Sequence, residues 1–310
     1  MKKVMLWMMA AILICGTSVF TACSVKDDPA APVTEPSKLV MITKHGHVDY
    51  WKQVETTFRN FCKEKGVEPL YYTTSDENAY EEQITAINEL ANLKDTKLAG
   101  IIYAPSFGVK GETADDEVYA FAKERGIPVI IIDTKVKTTS PLADCPYFGI
   151  DQAGAGKALA AEVTESKVAA FLLKNTPGFE RAEAFEIAKP GTTIFMVDDN
   201  ASANVKPIID DYDSFVFFNG SILNNVLPLL KEKDKKVYTF DVYESFLDEL
   251  IAGNQYFQGI MAQNTFAMAR KAAEAALAGS KEGEIVPAFF ISKFNLNAPS
   301  VKPFLEFYGK

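Results

Sequence analysis

The stretch that decides the fold is VYAFAKERGIPVIIID, residues 118–133. Its first part reads as an alanine-rich helix that stops at Gly126, a residue type that commonly ends helices. The second part is a wholly apolar run closed by Asp133, which is typical of a strand buried on both faces. A helix that leads directly into such a strand indicates a parallel sheet covered by helices.

The same alternation continues on both sides of this stretch. Up to residue 133, strands are predicted at residues 39–43, 68–74, 98–104 and 127–133, and helices at 50–65, 79–93 and 117–125. The pattern then restarts, with strands at 147–150, 168–173, 193–197, 215–218, 237–240 and 258–262, and helices at 154–165, 179–188, 223–231, 244–251 and 265–278. The tail holds residues 288–292 and a polar, aromatic end. We therefore predict an α/β protein of two doubly wound parallel-sheet lobes with a cleft between them.

Composition fits a globular chain of about two domains. The 310 residues are 48% hydrophobic, and 32 Lys and Arg stand against 41 Asp and Glu, a formal charge of −9. Such a surface repels phosphate backbones, so we expect no nucleic-acid partner. Cys62 and Cys145 do not define a disulfide framework, although a single bridge between them stays open.

The N-terminal region predicts export and lipid anchoring. Residues 1–22 have the positive start and apolar run of a signal peptide. The following FTAC, residues 20–23, resembles the lipobox of bacterial lipoproteins, which implies acylation of Cys23. Residues 23–37 then read as a proline-containing tether. SVKDD within it resembles the acidic signal that sends some lipoproteins to the outer surface. We expect a lipid-anchored protein of the cell envelope, facing the periplasm or the outer surface.

Polar and aromatic side chains follow the predicted strands. The carboxyl ends of parallel strands meet at one edge of a sheet, where ligands of open α/β sheets bind. Aromatic rings pack against sugar C–H groups, while carboxylates and amides bond paired hydroxyls. We therefore predict a site for a small polar ligand. Its candidate residues are His47, Asp49, Tyr50, Trp51, Asp133, Thr134, Asn219, Asp241 and Gln263.

Motifs for chemistry are scarce. GAGKA, residues 154–158, lacks the glycine and the Ser or Thr that a phosphate-binding loop needs, and reads as a helix start. No HExxH, GxSxG or CxxC occurs. We expect no enzymatic activity and no cofactor. One metal site is conceivable: His45, His47 and Asp49 alternate, so an extended backbone would place all three on one face.

The chain resembles the type I periplasmic binding proteins of the ribose- and galactose-binding kind over about residues 38–297. The segments that carry the resemblance are QITAINEL (83–90), LAGIIYAP (98–105), VYAFAKERGIPVIIID (118–133), YFGIDQAGAGKALA (147–160), FERAEAF (179–185), Phe240-Asp241 and MAQN (261–264). This resemblance implies that Tyr50 and Trp51 pack against a sugar and that Asp133 binds its hydroxyls. It also implies polar ligand contacts from Asn219, Asp241 and Gln263.

The resemblance further implies a solute-binding protein that closes on its ligand by hinge motion. Lobe I is expected at residues 38–140 plus 264–291, and lobe II at 141–263 plus 292–310. The crossovers would then lie near residues 141–146, 263–264 and 292–294. The expected partners are a sugar-like ligand, the membrane through the lipid, and an ABC permease or a sensor kinase.

Other functions stay open at this point. A metal-binding lipoprotein would use His45, His47 and Asp49, and a sensor of non-sugar small molecules would use the same cleft. A sugar-responsive repressor shares such lobes but needs an N-terminal helix-turn-helix, against which the lipobox and the acidic surface count. An exported enzyme would need a nucleophile and a base, and no such arrangement is evident.

Overall fold

The apolar runs of the sequence form two separate sheets. The structure, a computed structural model, describes residues 37–106, 111–174, 178–198 and 201–310. Its strands, in chain order, are β1 (Lys38–Ile42), β2 (Glu68–Tyr72), β3 (Leu98–Tyr103), β4 (Val129–Ile132), β5 (Tyr147–Gly149), β6 (Val168–Leu173), β7 (Thr193–Val197), β8 (Ser214–Phe217), β9 (Lys236–Phe240), β10 (Phe257–Ala262), β11 (Glu284–Ile285) and β12 (Phe289–Ile291).

Helices connect these strands. They are α1 (Asp49–Lys65), α2 (Tyr80–Ala91), α3 (Gly111–Arg125), α4 (Gln152–Glu162), α5 (Gly178–Ala188), α6 (Ser202–Val205), α7 (Gly220–Asn224), α8 (Leu227–Glu232), α9 (Glu244–Ile251), α10 (Thr265–Ala278) and α11 (Lys302–Phe307). In the described part of the chain, none of them combines the length and apolarity of a membrane span. Asp151 caps α4 by accepting a bond from the Gly154 amide at 2.9 Å, so the predicted helix start at GAGKA is confirmed.

The two sheets have the same plan. The first has the strand order β11-β5-β4-β3-β1-β2 and the second β12-β10-β9-β8-β6-β7. All pairings are parallel except that of β10 with β12. Position by position, β4 therefore corresponds to β9, and β1 to β6. The predicted fold class of two parallel-sheet α/β lobes is confirmed, and both lobes belong to one compact unit, Pro36–Lys310.

The strand β1 of the first sheet divides its side chains between two cores, because successive residues point to opposite faces. Leu39 and Met41 of β1 pack with α1 and α10, whereas Val40 and Ile42 pack with α2 and α3. All four side chains are fully buried. A strand covered on both faces has no polar side to show, which is why the sequence shows continuous apolar runs rather than alternation.

Two boundaries between the lobes differ from the predicted ones. Tyr147–Gly149 belongs to the first sheet, because β5 pairs with β4, and Phe289–Ile291 belongs to the second, because β12 pairs with β10. The first crossover therefore follows residue 149, and the third precedes residue 289. The proline-flanked segment 141–146 forms a turn that leads into β5 and does not cross between lobes.

The helix predicted over residues 223–231 is two helices in the structure. α7 ends at Asn224 and α8 begins at Leu227, with Pro228 in its first turn. Proline lacks the N–H that a continuing helix needs and its ring clashes with the preceding turn, so one helix cannot run through it. Cys62 and Cys145 are both free thiols, so no bridge joins them.

Candidate functional site

A cleft between the two sheets collects side chains from the carboxyl ends of both sets of strands. It has a volume of about 510 Å³, counted out to its opening. The first lobe contributes His45, Val48, Tyr50, Trp51, Glu77 and Asp133. The second contributes Leu173, Arg181, Asn219, Ser221, Asp241, Tyr243 and, at the crossover, Gln263.

Two aspartates occupy equivalent positions in the two lobes. Asp133 directly follows β4, and Asp241 directly follows β9, the corresponding strand of the other sheet. Both have left-handed backbones, with φ of 63° and 64°. Non-glycine residues rarely adopt this conformation, and it is most common among Asp and Asn. The sharp turn at each strand end directs one carboxyl group from each lobe into the same cleft.

Asp133 is held by donors of its own lobe. The Tyr50 hydroxyl donates to its Oδ1 at 2.8 Å, and the Thr134 hydroxyl donates to its Oδ2 at 2.7 Å. The ammonium group of Lys44 lies 3.2 Å from the same Oδ2. A carboxylate has about four acceptor sites, so these bonds leave room for about one ligand hydroxyl.

Lys44 balances the negative charge of the first lobe. Its side chain is only 1% exposed, and its Nζ lies 3.1 Å from Glu77 and 2.8 Å from the Thr134 hydroxyl. It also lies 5.9 Å from the centre of the Trp51 ring. Because a buried cation needs partners of opposite charge, this lysine ties the loop after β2 to the end of β4.

Asp241 is less fully engaged. Its Oδ1 accepts from the Gln263 amide at 2.7 Å, and its Oδ2 accepts from the Gly220 backbone N–H at 3.2 Å. Burial raises the pKa of this carboxyl above its ordinary value, while the nearby Arg181 opposes the rise. Two of about four acceptor sites remain for a ligand.

Arg181 brings a buried positive charge to the second lobe. It lies on α5 with 2% of its surface exposed, and its guanidinium lies 4.6 Å from the centre of the Phe240 ring. One amino group donates to the Phe218 carbonyl at 2.9 Å, while its buried Nε has no protein partner. A guanidinium has five N–H donors, so Arg181 retains capacity for ligand oxygens.

An aromatic pair forms the wall of the first lobe. The rings of Tyr50 and Trp51 are edge-to-face with centroids 4.9 Å apart, and both side chains are buried where they line the cleft. Burial, and then the charge of Asp133, raise the pKa of Tyr50 well above its ordinary value. The phenol is therefore a neutral donor fixed on Asp133. Buried Tyr243 of the second lobe also lines the cleft.

The structure brings six of the predicted site residues together in the cleft: Tyr50, Trp51, Asp133, Asn219, Asp241 and Gln263. The other three lie elsewhere. The Thr134 hydroxyl donates to the Asp133 carboxylate, and Thr134 lines a separate depression. His47 and Asp49 line a groove beside the cleft. Their roles in ligand binding stay predictions.

The alternative metal site of His45, His47 and Asp49 is not formed. His45 has a left-handed backbone with φ of 49°, and a turn follows it, so the extended segment that would align the three side chains does not exist. Asp49 bonds instead to the Lys52 ammonium at 3.1 Å and the Tyr308 hydroxyl at 3.1 Å. Among the residues that the structure describes, no cluster of three ligands could hold a metal ion.

The sequence reasoning did not predict the two apolar cleft residues Val48 and Leu173, and it considered His45 only for metal binding. It also missed four polar or aromatic cleft residues: Glu77, Arg181, Ser221 and Tyr243. One signal was available for Arg181, which is a lone arginine among apolar residues on the inward face of a predicted helix. Glu77 lies in the loop after β2, and Ser221 and Tyr243 lie a few residues beyond strand ends. Nothing local distinguishes these from ordinary loop residues.

A sequence profile described as the periplasmic binding protein domain matches residues 39–284. A carbohydrate transporter solute-binding protein from Agrobacterium radiobacter, solved with D-arabinose, is similar: 19% identity, TM-score 0.69, covering 87% of this chain and 99% of that one. An arabinose-binding protein from Geobacillus stearothermophilus is also similar, with 19% identity and a TM-score of 0.65, and the match covers 84% of this chain and 98% of that one. A glucose-galactose-binding protein from the same organism has 20% identity and a TM-score of 0.66, and the match covers 85% of this chain and 99% of that one.

At such low identity these structures show the shared fold alone. No curated protein sequence matches the chain significantly.

Proposed function

The chain belongs to the periplasmic binding protein family, whose members bind solutes and are not enzymes, and from this premise we propose that it captures a small sugar in the interlobe cleft. The observation that carries the proposal is the pair Asp133 and Asp241, which lie at equivalent strand ends and line one cleft. Each carboxylate keeps acceptor sites for hydroxyls, and the Tyr50–Trp51 pair offers an apolar wall beside them.

The polar groups of the cleft suit a ligand that both donates and accepts hydrogen bonds. Asp133 and Asp241 accept, whereas Arg181 donates. Adjacent sugar hydroxyls do both at once. The similar structures include an arabinose-binding protein, a solute-binding protein solved with D-arabinose and a glucose-galactose-binding protein, which supports a monosaccharide unit in this cleft.

Isothermal titration calorimetry of residues 36–310 with pentoses, hexoses and polyols tests this function. We expect saturable binding of at least one of them in the micromolar range, about −8 kcal/mol. A folded protein that binds no sugar or polyol would contradict the proposal.

The proposal includes closure of the two lobes on the ligand by bending at three crossovers. On the sheets described above, these crossovers lie after β5, between β10 and α10, and between β11 and β12. Closure would bury the sugar, and the closed shape would be recognised by a transporter permease or a sensor kinase.

We also propose that Cys23 carries a lipid that holds the protein at the cell envelope. Residues 1–36 lie outside the described part of the chain, so the proposal rests on the FTAC sequence and on the apolar run before it. Detergent phase partitioning of the expressed full chain tests it. The wild type should enter the detergent phase, whereas Cys23→Ala should stay in the aqueous phase; equal partitioning of both would contradict the anchor.

A further inference from the structure

A second groove lies beside the cleft, and we call it the outer groove. It shares four wall residues with the cleft: His45, Val48, Ser221 and Tyr243. Its volume is about 1,280 Å³, compared with about 510 Å³ for the cleft, both counted out to solvent. Because the two spaces share these wall residues, they lie side by side, and a molecule at Asp133 and Asp241 lies next to the outer groove.

Both lobes build the outer groove. His47 lines it from the loop before α1 and Asp49 from the first residue of α1. Asn224, Ser245 and Asp248 line it from α7 and α9. The Ser245 hydroxyl and the Asn224 side-chain oxygen form a hydrogen bond of 3.1 Å, which fixes this wall. Imidazole, amide and hydroxyl groups dominate the lining, and such groups bind neutral hydroxylated molecules.

The acidic side chains of the outer groove already have partners. Asp49 bonds to Lys52, as described above. Lys310 of the C-terminal segment lies 3.1 Å from Glu244 and 2.7 Å from Asp248. Three carboxylates facing two ammonium groups leave no excess positive charge to attract an anion.

We propose that the outer groove is a subsite for a second, uncharged sugar unit, so that the chain binds a disaccharide or longer glycoside more tightly than the corresponding monosaccharide. This inference rests on the proposed function, because the first unit must occupy the cleft. The second unit lies against Val48 and Tyr243 and hydrogen-bonds to the Asn224–Ser245 wall. An anionic second unit adds no affinity.

Calorimetric titration with matched pairs tests the subsite. The pairs are L-arabinose with arabinobiose, D-galactose with galactobiose, and D-glucose with maltose and with cellobiose. At least one disaccharide should bind tenfold or more tightly than its own monosaccharide. Digalacturonate should show no gain over galacturonate. Equal or weaker binding of every disaccharide overturns the proposal, and a gain confined to digalacturonate overturns its neutral character.

A substitution that fills the groove locates the second unit. Ser245→Trp should lower the affinity ratio of disaccharide to monosaccharide at least tenfold, and Asn224→Ala should lower it several-fold without added bulk. The matched control is Ser166→Trp, at an exposed position before β6 and so at the opposite end of the same sheet. Thermal unfolding confirms that each variant folds.

The outcomes separate the two proposals. Wild-type binding of monosaccharides without any gain for disaccharides leaves the proposed function intact and refutes the outer subsite. If the ratio of disaccharide to monosaccharide affinity is unchanged in both Ser245→Trp and Asn224→Ala, the outer subsite is likewise refuted and the proposed function stays intact. If no saccharide of either length binds the folded protein, the proposed function itself fails, and the subsite fails with it.

Discussion

Asp133 and Asp241 hold the same place in their lobes but differ in their surroundings. Asp133 is bonded by Tyr50, Thr134 and Lys44, whereas Asp241 is bonded by Gln263 and one backbone amide. The first carboxylate therefore helps to hold its lobe together, while the second has more free acceptor capacity. Their substitution should separate stability from binding.

Asp241→Asn should lower sugar affinity roughly 10- to 100-fold, because hydrogen bonds to a charged group contribute about 1.5–3 kcal/mol. Asn tolerates the left-handed backbone at this position, so the turn should persist. Calorimetry measures the loss, with Asp116→Asn on the exposed face of α3 as control. Wild-type affinity in Asp241→Asn would contradict the assignment of this carboxylate to the site.

Asp133→Asn should lower the free energy of unfolding by about 1–3 kcal/mol, because it weakens the charged hydrogen bonds around buried Lys44. Asp241→Asn should change stability much less, since burial disfavours the ionised form of the Asp241 carboxyl. Urea denaturation of the sugar-free variants measures both values. Equal losses would show that the Lys44 network does not stabilise the lobe.

The raised pKa of Asp241 predicts a pH dependence of stability. Burial makes the folded state bind this proton more readily than the unfolded state does. The resulting stabilisation is fully present below the unfolded-state pKa and is lost as the pH rises through the higher folded-state pKa. Denaturation over a range of pH should show this decline in the stability of the wild type, and equally of Asp116→Asn, measured relative to Asp241→Asn. A parallel decline in all three would contradict the shift.

At the scale of elements, the position of Arg181 depends on how closely α4 and α5 pack. Gly156 of α4 faces the backbone of α5, and a Cβ atom at this position would lie 2.1 Å from the Arg181 carbonyl oxygen. Backbone cannot yield as a flexible side chain can, so only glycine permits this approach. The spacing of these two helices thus places the guanidinium at the cleft.

Gly156→Ala should therefore destabilise the chain by about 1–3 kcal/mol, the usual cost of overpacking. It should also weaken sugar binding, because α5 and Arg181 must move. Lys157→Ala, on the exposed side of the same helix, is the control. Denaturation and calorimetry read out both effects, and a variant with wild-type stability and affinity would refute the role of this contact.

The sequence was sufficient to predict elements whose apolar pattern is local. The buried strands of both sheets were predicted to within a few residues, because strands covered on both faces show continuous apolar runs. The long helices α1 and α10 were predicted equally well. Pro228 marked the break between α7 and α8, but the apolar spacing across it resembled one helix. The exposed two-residue strand β11 has no pattern, since its pairing with β5 is entirely tertiary.

The cleft was predictable where chemistry coincides with a strand end. Asp133 and Asp241 close apolar runs, and the topology alone brings them together. Lys44 and Glu77 could not be found in this way, because their ion pair joins segments that only the fold makes neighbours. His47 and Asp49 were placed correctly after β1, but the turn at His45 directs them to the outer groove.

At the scale of the whole molecule, a hydrogen-bond network joins the two lobes beside the cleft. Gln53 of α1 donates to the Val242 carbonyl of the second lobe at 2.9 Å and to the Tyr308 hydroxyl at 3.0 Å. Tyr308 in turn donates to Asp49 at 3.1 Å. Because these bonds join residues of different lobes, we expect them to favour the arrangement in which the lobes are close.

Tyr308→Phe should weaken apparent sugar affinity about three- to tenfold, since losing a hydrogen bond costs about 0.5–1.5 kcal/mol and the closed population falls accordingly. X-ray scattering of sugar-free protein should give a larger radius of gyration for this variant than for the control Tyr119→Phe, whose side chain is 37% exposed. Identical affinity and radius in both variants would contradict the closing role.

The most direct test of the central claim uses Trp51, the single tryptophan of residues 36–310 and part of the cleft wall. The measurement is tryptophan fluorescence of this unit during titration with pentoses, hexoses and their disaccharides. The account predicts a saturable change at micromolar sugar that Asp241→Asn shifts to higher concentration. A folded protein whose calorimetry reports sugar binding while Trp51 emission stays constant would place the sugar outside this cleft and contradict the account.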